Sequence, residues 1–302
     1  MDVTAVVLAY GDQPYLLDAV DRLLASTGVD VQVVLVDNGC TSPSLEPLRD
    51  RAGVTLLEPG TNTGFTGGCN LGAAATGTEF LAFINSDALV EPDALAELVA
   101  VAARPEVGLA SASLRLAATP ELLNTDGNPV HVLGLSWAGH LGEPADRYAV
   151  EKQVPSATGG AFACRREVWD ALGGFTEEFF AYCEDADLSL RCWQQGWEVV
   201  YVPGAVVAHH YEFSRNPAKW YLLERNRLTW CSASTPPAPC CCSLPRCSPS
   251  RWRCSRSRRP GAGCRTSSAA TAGWSGTAAG WPDTAAQCRA PGGAATGSSP
   301  TC

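Results

Sequence analysis

Four places in this 302-residue chain gather side chains that bind charge or move protons. Glu184-Asp185-Ala186-Asp187 sets three carboxyls at the start of an apolar-periodic run that carries Leu188, Leu190 and Trp193. Acids in a first helical turn favour the positive helix end by up to about 1 kcal/mol each, and one of them suffices as a cap. Three together repel, and neighbouring negative charge raises the proton affinity of each, which is what a general base needs. Asp37, in VLVDNG, and Asp87, in FINSD, each follow an apolar run directly. Singly they read as turn residues. As a pair at matching positions they suit ribose hydroxyls or a metal ion. The fourth place, TGFTGGCNLG (63–72), is glycine-rich but lacks the Lys-Ser/Thr of a phosphate loop. It reads either as a flexible turn into a helix around Leu71–Ala75 or as backbone that approaches a nucleotide closely, which a Cβ would prevent.

The elements that must position these residues alternate. TAVVLAY (4–10), VQVVLVD (31–37), GVTLLEP (53–59), EFLAFINSD (79–87) and VGLASASL (107–114) are strand-like. Between them, Tyr15 to Ala25 and Pro92 to Ala103 have helical periodicity. Near-continuous apolar strands separated by amphipathic helices predict an α/β fold with a mostly parallel sheet covered on both faces. Ligands of such sheets lie beyond the carboxyl ends of the strands, where Asp37 and Asp87 fall. The first strand runs into AYGDQP rather than G-x-G-x-x-G, which argues against a dinucleotide site of the usual kind.

A net charge of −9 makes nucleic acid a poor partner. The N-terminus enters an apolar run with no basic segment before it, and no apolar run approaches the roughly 20 residues that cross a bilayer, so the expected compartment is the cytoplasm. The two parts of the chain differ sharply. Residues 1–230 hold 30 acids and 14 bases, whereas 231–302 hold one acid, Asp283, eight arginines and nine of the 14 cysteines. Three readings of CCCSLPRCSPSRWRCSRSRRP compete. A zinc module would want paired Cys-x-x-Cys knuckles or histidines. A basic nucleic-acid arm would not need triplet cysteines in a reducing compartment. A shifted reading frame accounts for the composition directly: leucine CTG codons read one base late give TGC, cysteine, and alanine GCC gives proline or arginine. The tail is therefore read as a Cys/Arg/Pro-rich frameshift product, disordered because it has too few apolar residues to bury a core. An intact frame through the Thr229 region on resequencing would exclude that reading.

The order VVLAY, VLVDNG, NTGFTGGCNLG, FINSD, TGGAFACRR, GGFTEEFFAYCEDADLSLR and VVAHHYEFS resembles the inverting family-2 glycosyltransferases, within them the bacterial branch of rhamnosyl- and galactofuranosyltransferases. The resemblance spans about residues 3–228. It implies a GT-A fold, a Rossmann-like sheet in one catalytic domain (1–230), a nucleotide-sugar donor such as a dTDP- or UDP-sugar, and a glycan or lipid-linked acceptor. By the same resemblance, Ala9, Tyr10 and Asp12 enclose the base, Asp37 binds base or ribose, and the segment with Asn62, Gly64, Gly68 and Asn70 closes over the nucleotide. Asn85-Ser86-Asp87 stands where the family has its D-x-D motif. Ser86 then lies against the nucleotide, and Asp87 holds Mg²⁺ or Mn²⁺, with His209 or His210 supplying an imidazole. Asp185 is the expected base and Glu184 its neighbour that positions hydroxyls. Gly159, Gly160 and Asp187 lie on the acceptor side, Asp187 pairing with Arg191 to hold the loop. The stretch from Leu116 to Val154 is expected to shape acceptor choice. Relatives continue past Arg225–Leu228 into apolar or basic helices on or across the membrane, an anchor that a shifted frame in this chain loses while the catalytic pocket is kept; peripheral association with the inner face of the plasma membrane is the expectation that remains. Alternatives are a catalytically impaired remnant of a frameshifted gene, or a nucleotide-binding module, against which the intact Glu184-Asp185 pair argues.

Overall fold

The computed structural model describes residues 1–210 and 218–234, with side chains through residue 230, so that most of the 231–302 tail lies outside the described residues. The chain opens with β1 (Asp2–Gly11), α1 (Leu16–Leu24), β2 (Asp30–Cys40) and β3 (Val54–Leu57). α1 buries Leu16, Ala19, Val20 and Leu23, the i, i+3, i+4, i+7 face that its sequence displays. Next come α2 (Gly64–Ala74), β4 (Phe80–Ile84), β5 (Ala88–Val90), α3 (Ala94–Ala102) and β6 (Val107–Leu116). β7 (Thr119–Thr125), β8 (Lys152–Gln153), β9 (Ala161–Arg165), α4 (Arg166–Leu172), α5 (Glu184–Gln194), β10 (Glu198–His209) and α6 (Lys219–Ser234) complete the described fold.

One sheet runs in the order β3-β2-β1-β4-β9-β6-β10-β5, with β7 added on β6 and β8 on β10. β3, β2, β1 and β4 are mutually parallel, as are β6 and β10. β9 enters between the two parallel sets antiparallel to both neighbours, and β5 closes the path antiparallel to β10. The consequence is functional. The carboxyl ends of β1, β2, β4, β6 and β10 and the amino end of β9 share one edge. Helices cover both faces: α1 and α3 pack with one core cluster around Val7, Leu35 and Ala82, while α2, α4 and α5 pack with the other around Phe83, Phe162 and Tyr201.

Two expectations change. The glycine-rich stretch itself forms all but the last two residues of α2, not a turn preceding a helix at Leu71. Its glycines let the helix lie close on the sheet: a Cβ at Gly68 would overlap Leu8 Cδ1, and one at Gly72 would overlap Val6 Cγ1. The strand expected over 79–87 stops at Ile84, and Asn85–Asp87 form a turn closed by the Ala88 amide donating to the Asn85 carbonyl at 3.0 Å. β5, β7 and β8 are short and carry no periodic signal that separates them from loop.

Candidate active site

At the shared edge, β10 places His209 beside Asp87, with His209 Nε2 3.3 Å from Asp87 Oδ1. The antiparallel pairing of His209 with Ala88 fixes this approach, and the His210 amide donates to the Asp87 carbonyl at 2.9 Å. His209 Nδ1 lies 2.8 Å from Asn124 Oδ1, on β7. His209 Nε2 thus faces a carboxylate oxygen while Nδ1 is held by an amide, the arrangement of an imidazole oriented for a ligand role. The donor set, one imidazole and one carboxylate, therefore fits a divalent ion whose remaining positions are open to phosphate oxygens and water. His210 turns elsewhere and stacks on Tyr15 with ring centroids 3.5 Å apart. Of the two adjacent histidines, His209 is the one whose ring lies beside Asp87.

The first loop and the Asn85–Asp87 turn are tied together. Ser86 Oγ donates to Gln13 Oε1 at 2.8 Å, and Gln13 Nε2 donates to the Tyr10 carbonyl at 2.6 Å. Ser86 Oγ thus points at Gln13 on the first loop. Ala9 is buried opposite Asp37 in the β1–β2 register, and Tyr10 stays 56% exposed, its ring over Gly39. Asp12 is exposed on the same loop. Asp37 Oδ1 accepts from the Gly39 and Cys40 amides at 3.1 and 2.7 Å, so the tight turn is real and occupies one carboxylate oxygen. The neighbouring Asn38, 1% exposed, donates to Asn62 Oδ1 and the Gly64 carbonyl and accepts from Thr63, which fixes the 62–64 segment to the end of β2.

Three residues of the segment expected to close over the nucleotide lie against protein. Asn70 Nδ2 donates to the Phe175 carbonyl and Asn70 Oδ1 accepts from the Phe175 amide, both at 2.9 Å, a clamp between α2 and the segment leading to α5. Gly68 lies against Leu8, and Gly64, at φ +76°, lies against Phe180. Asn62 is exposed.

The carboxyl cluster opens α5 after a strained approach. Phe180, Tyr182 and Cys183 all have positive φ, at 64°, 72° and 66°, and none is glycine, a conformation that costs on the order of 1 kcal/mol each. Asp187 is committed to structure: its Oδ2 accepts from Thr176 Oγ1 at 2.8 Å and from Arg191 Nη2 at 2.8 Å. The pairing with Arg191 that the sequence predicts is present, and it commits the Asp187 carboxylate to the loop. Asp185 Oδ2 accepts from the Gly159 amide at 3.1 Å and from Asn128 Nδ2 at 3.0 Å, and Oδ1 from the Ala186 amide at 2.8 Å. Glu184 is 8% exposed, and its buried Oε2 has no hydrogen-bond partner among the described residues. Burial, and then the Asp185 charge, push Glu184 up to about 8. Burial also raises Asp185, opposed by the Gly159, Ala186 and Asn128 donors. Burial thus pushes both carboxyls towards the protonated form, and only Asp185 has side-chain and loop donors that oppose it. Gly159-Gly160 bridges this pair to the metal-type pair: the Gly160 carbonyl accepts from the Asn85 amide at 3.0 Å, two residues before Asp87.

The chain matches the model of a family described as "Glycosyltransferase like family 2" over residues 1–233. It belongs to that family. The glycosyltransferase is 30% identical over 260 residues to the N-acetylglucosaminyl-diphospho-decaprenol L-rhamnosyltransferase of Mycobacterium tuberculosis, covering 76% of this chain and 83% of the relative. Its fold is that of the GT-A enzymes. It superposes on GalNAc-T7 with UDP, GalNAc and Mn²⁺ at a TM-score of 0.60 and 18% identity, over 71% of this chain and 44% of that one. A mannosyltransferase of Pyrobaculum calidifontis in complex with GDP-Man and Mn²⁺ gives 0.56 and 20% identity, over 76% and 63%.

Several side chains that organise the glycosyltransferase's site carried no sequence signal of their own. Gln13, Asn38, Asn124 and Asn128 are neutral amides in turns or short strands, and their role lies in pairing across 24 to 85 residues of chain. Asn38, inside the quoted DNG turn, was the most accessible of them. In the 116–154 stretch, Asp126 is buried with Lys152 Nζ at 2.5 Å and His140 Nδ1 at 2.9 Å, an ion cluster that anchors the insert next to Asn128.

Proposed function

We propose that this glycosyltransferase moves a sugar, with inversion, from a dTDP- or UDP-linked donor to a hydroxyl of a cell-envelope glycan or lipid-linked acceptor. The observation that carries the reading is Asp185, which accepts three N–H donors at the mouth of α5 and is joined through Gly159-Gly160 to the edge that bears Asp87 and His209. A carboxylate so placed removes the proton of the acceptor hydroxyl as its oxygen bonds to the anomeric carbon. The bond from that carbon to the diphosphate breaks on the opposite side, and its electron pair leaves with the nucleotide. Attack and departure on opposite faces invert the centre in one step.

Asp87 and His209 would hold a divalent ion, Mg²⁺ or Mn²⁺, which neutralises charge developing on the leaving diphosphate. Tyr10 and the second oxygen of Asp37 are suited to base and ribose, and neutral Glu184 to donating a hydrogen bond to a sugar or acceptor oxygen. The exposed apolar side chains of Val132, Leu135 and Trp137 support an acceptor with a hydrocarbon part, since the same loop begins at Asn128 beside the base. No helix among the described residues is long and apolar enough to cross a membrane, which is consistent with action at the inner face of the plasma membrane through peripheral contact. Replacement Asp185→Asn tests the reading: transfer should fall by about 10²–10⁴-fold with nucleotide binding retained. Near-normal turnover would refute it.

A further inference from the structure

We propose that Asn128 is the positioning residue of the base: it fills Asp185 Oδ2 together with the Gly159 amide, so that Oδ1 is the oxygen that takes the acceptor's proton. The inference rests on Asp185 being the base. A carboxylate has about four acceptor directions, two on each oxygen. Oδ2 accepts two N–H bonds, from Asn128 Nδ2 and Gly159, and Oδ1 accepts one, from Ala186. Oδ2 is thus filled by two donors from outside α5, whereas the other donors to the carboxylate are the local amides of the helix's first turn, Ala186 on Oδ1 and that of Asp185 itself, which leaves Oδ1 the less committed oxygen.

The orientation of the Asn128 amide is set by its surroundings. Its Oδ1 lies 3.1 Å from the Thr125 hydroxyl, its backbone amide donates to the Ser156 carbonyl at 2.8 Å, and its NH₂ group faces the carboxylate. A flipped amide would set its carbonyl against Asp185, two acceptors with no proton between them. Thr125 Oγ1 in turn accepts from the Gly127 and Gly139 amides, so the donor to the base is built on a folded turn. The charged groups around Asp185 are acidic: Glu184 and Asp187 on α5, the latter bound to Arg191, and Asp126 in the Asn128 turn, bound to Lys152 and His140. Buried Cys69 on α2 completes the titratable set. In such a setting an N–H donor on Oδ2 opposes the rise that burial imposes on the base.

The step balances simply: the acceptor O–H proton passes to Oδ1, the oxygen bonds to the anomeric carbon, and the diphosphate leaves with the bonding electrons. Asn128 touches none of the reacting atoms and acts through Asp185.

The test is the pH profile of kcat/KM for full-length wild type, Asn128→Ala and Asn128→Asp, with Asp185→Asn as reference and thermal melting and nucleotide binding measured on each. The Asp variant keeps the size of the side chain should the Ala variant fail to fold. Because the base acts when ionised, losing a donor raises its pKa and moves the acid limb upward. The expected shift is about one unit for Asn128→Ala and more for Asn128→Asp, with activity down about tenfold on the acid side and within about twofold on the plateau. An unmoved limb in folded, nucleotide-binding variants, or an equal loss at every pH, overturns the proposal. If Asp185→Asn itself stays active, the assignment of the base fails, and the Asn128 proposal fails with it for that separate reason.

Discussion

Asn226 Nδ2 lies 2.7 Å from the carbonyl of Tyr182, and the same nitrogen is 2.9 and 2.8 Å from the carbonyls of Phe179 and Ala181. One buried amide on α6 thus gathers the outward carbonyls of the turn in which Phe180, Tyr182 and Cys183 hold positive φ. Strain of this kind persists only where the surroundings over-determine it. Arg225 adds bonds to the Glu178 and Phe179 carbonyls. The first turns of α6 are therefore part of the machinery that presents Glu184 and Asp185.

Asn226→Ala leaves the part-buried carbonyls of Ala181 and Tyr182 short of a donor, whereas that of Phe179 keeps Arg225, a cost of about 1–3 kcal/mol. The variant should melt several degrees lower, and its activity should fall more than its nucleotide affinity, because the turn bears the base and not the Asp87 edge. Calorimetry and a nucleotide titration on the same sample read both. Equal losses of transfer and nucleotide binding would mean that α6 supports the whole domain and not this turn.

The Asp87–His209 pair gives a second expectation. Nucleotide should raise the melting temperature in the presence of Mn²⁺ and much less in chelator, and either Asp87→Ala or His209→Ala should reduce that difference. His210→Ala should leave it unchanged, since that ring stacks on Tyr15. Metal-independent stabilisation of the wild type by nucleotide would remove the cation from this edge.

Glu184 makes stability depend on pH in a definite direction. Its folded-state pKa is raised from the model-peptide value of 4.5 to about 8, so the folded protein holds a proton that the unfolded chain releases. Stability from this group is fully present below pH 4.5 and is lost as pH rises through about 8. Glu184→Gln keeps the shape and removes the titration, so its melting temperature should exceed that of wild type at pH 9 and approach it at pH 5. Parallel melting curves across that range would show that Glu184 is not buried as a neutral acid.

The parts legible in the sequence were those written in local pattern. Strands β1, β2 and β4 and helix α1 are read from apolar runs and a four-residue stripe, and Asp37, Asp87 and Asp185 stand out as carboxyls at element ends. β9 was not readable as an antiparallel insertion, because AFACR is apolar on both sides whichever way it runs, and its direction depends on partners 80 residues away. The glycines of α2 misled for a related reason: glycine disfavours a helix locally, and here close packing on Leu8 and Val6 outweighs that preference. The amides around Asp185 and His209 were invisible because an asparagine in a loop has no spacing to betray its partner.

The loop that starts at Asn128 also bears the last expectation. Val132 is 92% exposed, Leu133, Leu135 and Trp137 are 50–60% exposed, and Arg227 Nη1 donates to the Leu133 carbonyl at 2.6 Å, which ties this loop to α6. On α6, Trp220 and Tyr221 are each 68% exposed. Large apolar and aromatic side chains held in water at this density lower their free energy by entering a lipid interface, at about 25 cal/mol per Å² of apolar surface removed from water. If the acceptor is lipid-linked, Val132→Ser together with Leu135→Ser and Trp137→Ser should weaken co-sedimentation with anionic vesicles and cut transfer to a membrane-borne acceptor several-fold. Transfer to a short-chain, water-soluble analogue should hold, because Asn128 and Asp185 are untouched. A loss on both acceptors would mean that the loop shapes the site itself, and no loss on either would mean that the acceptor is not presented at a membrane.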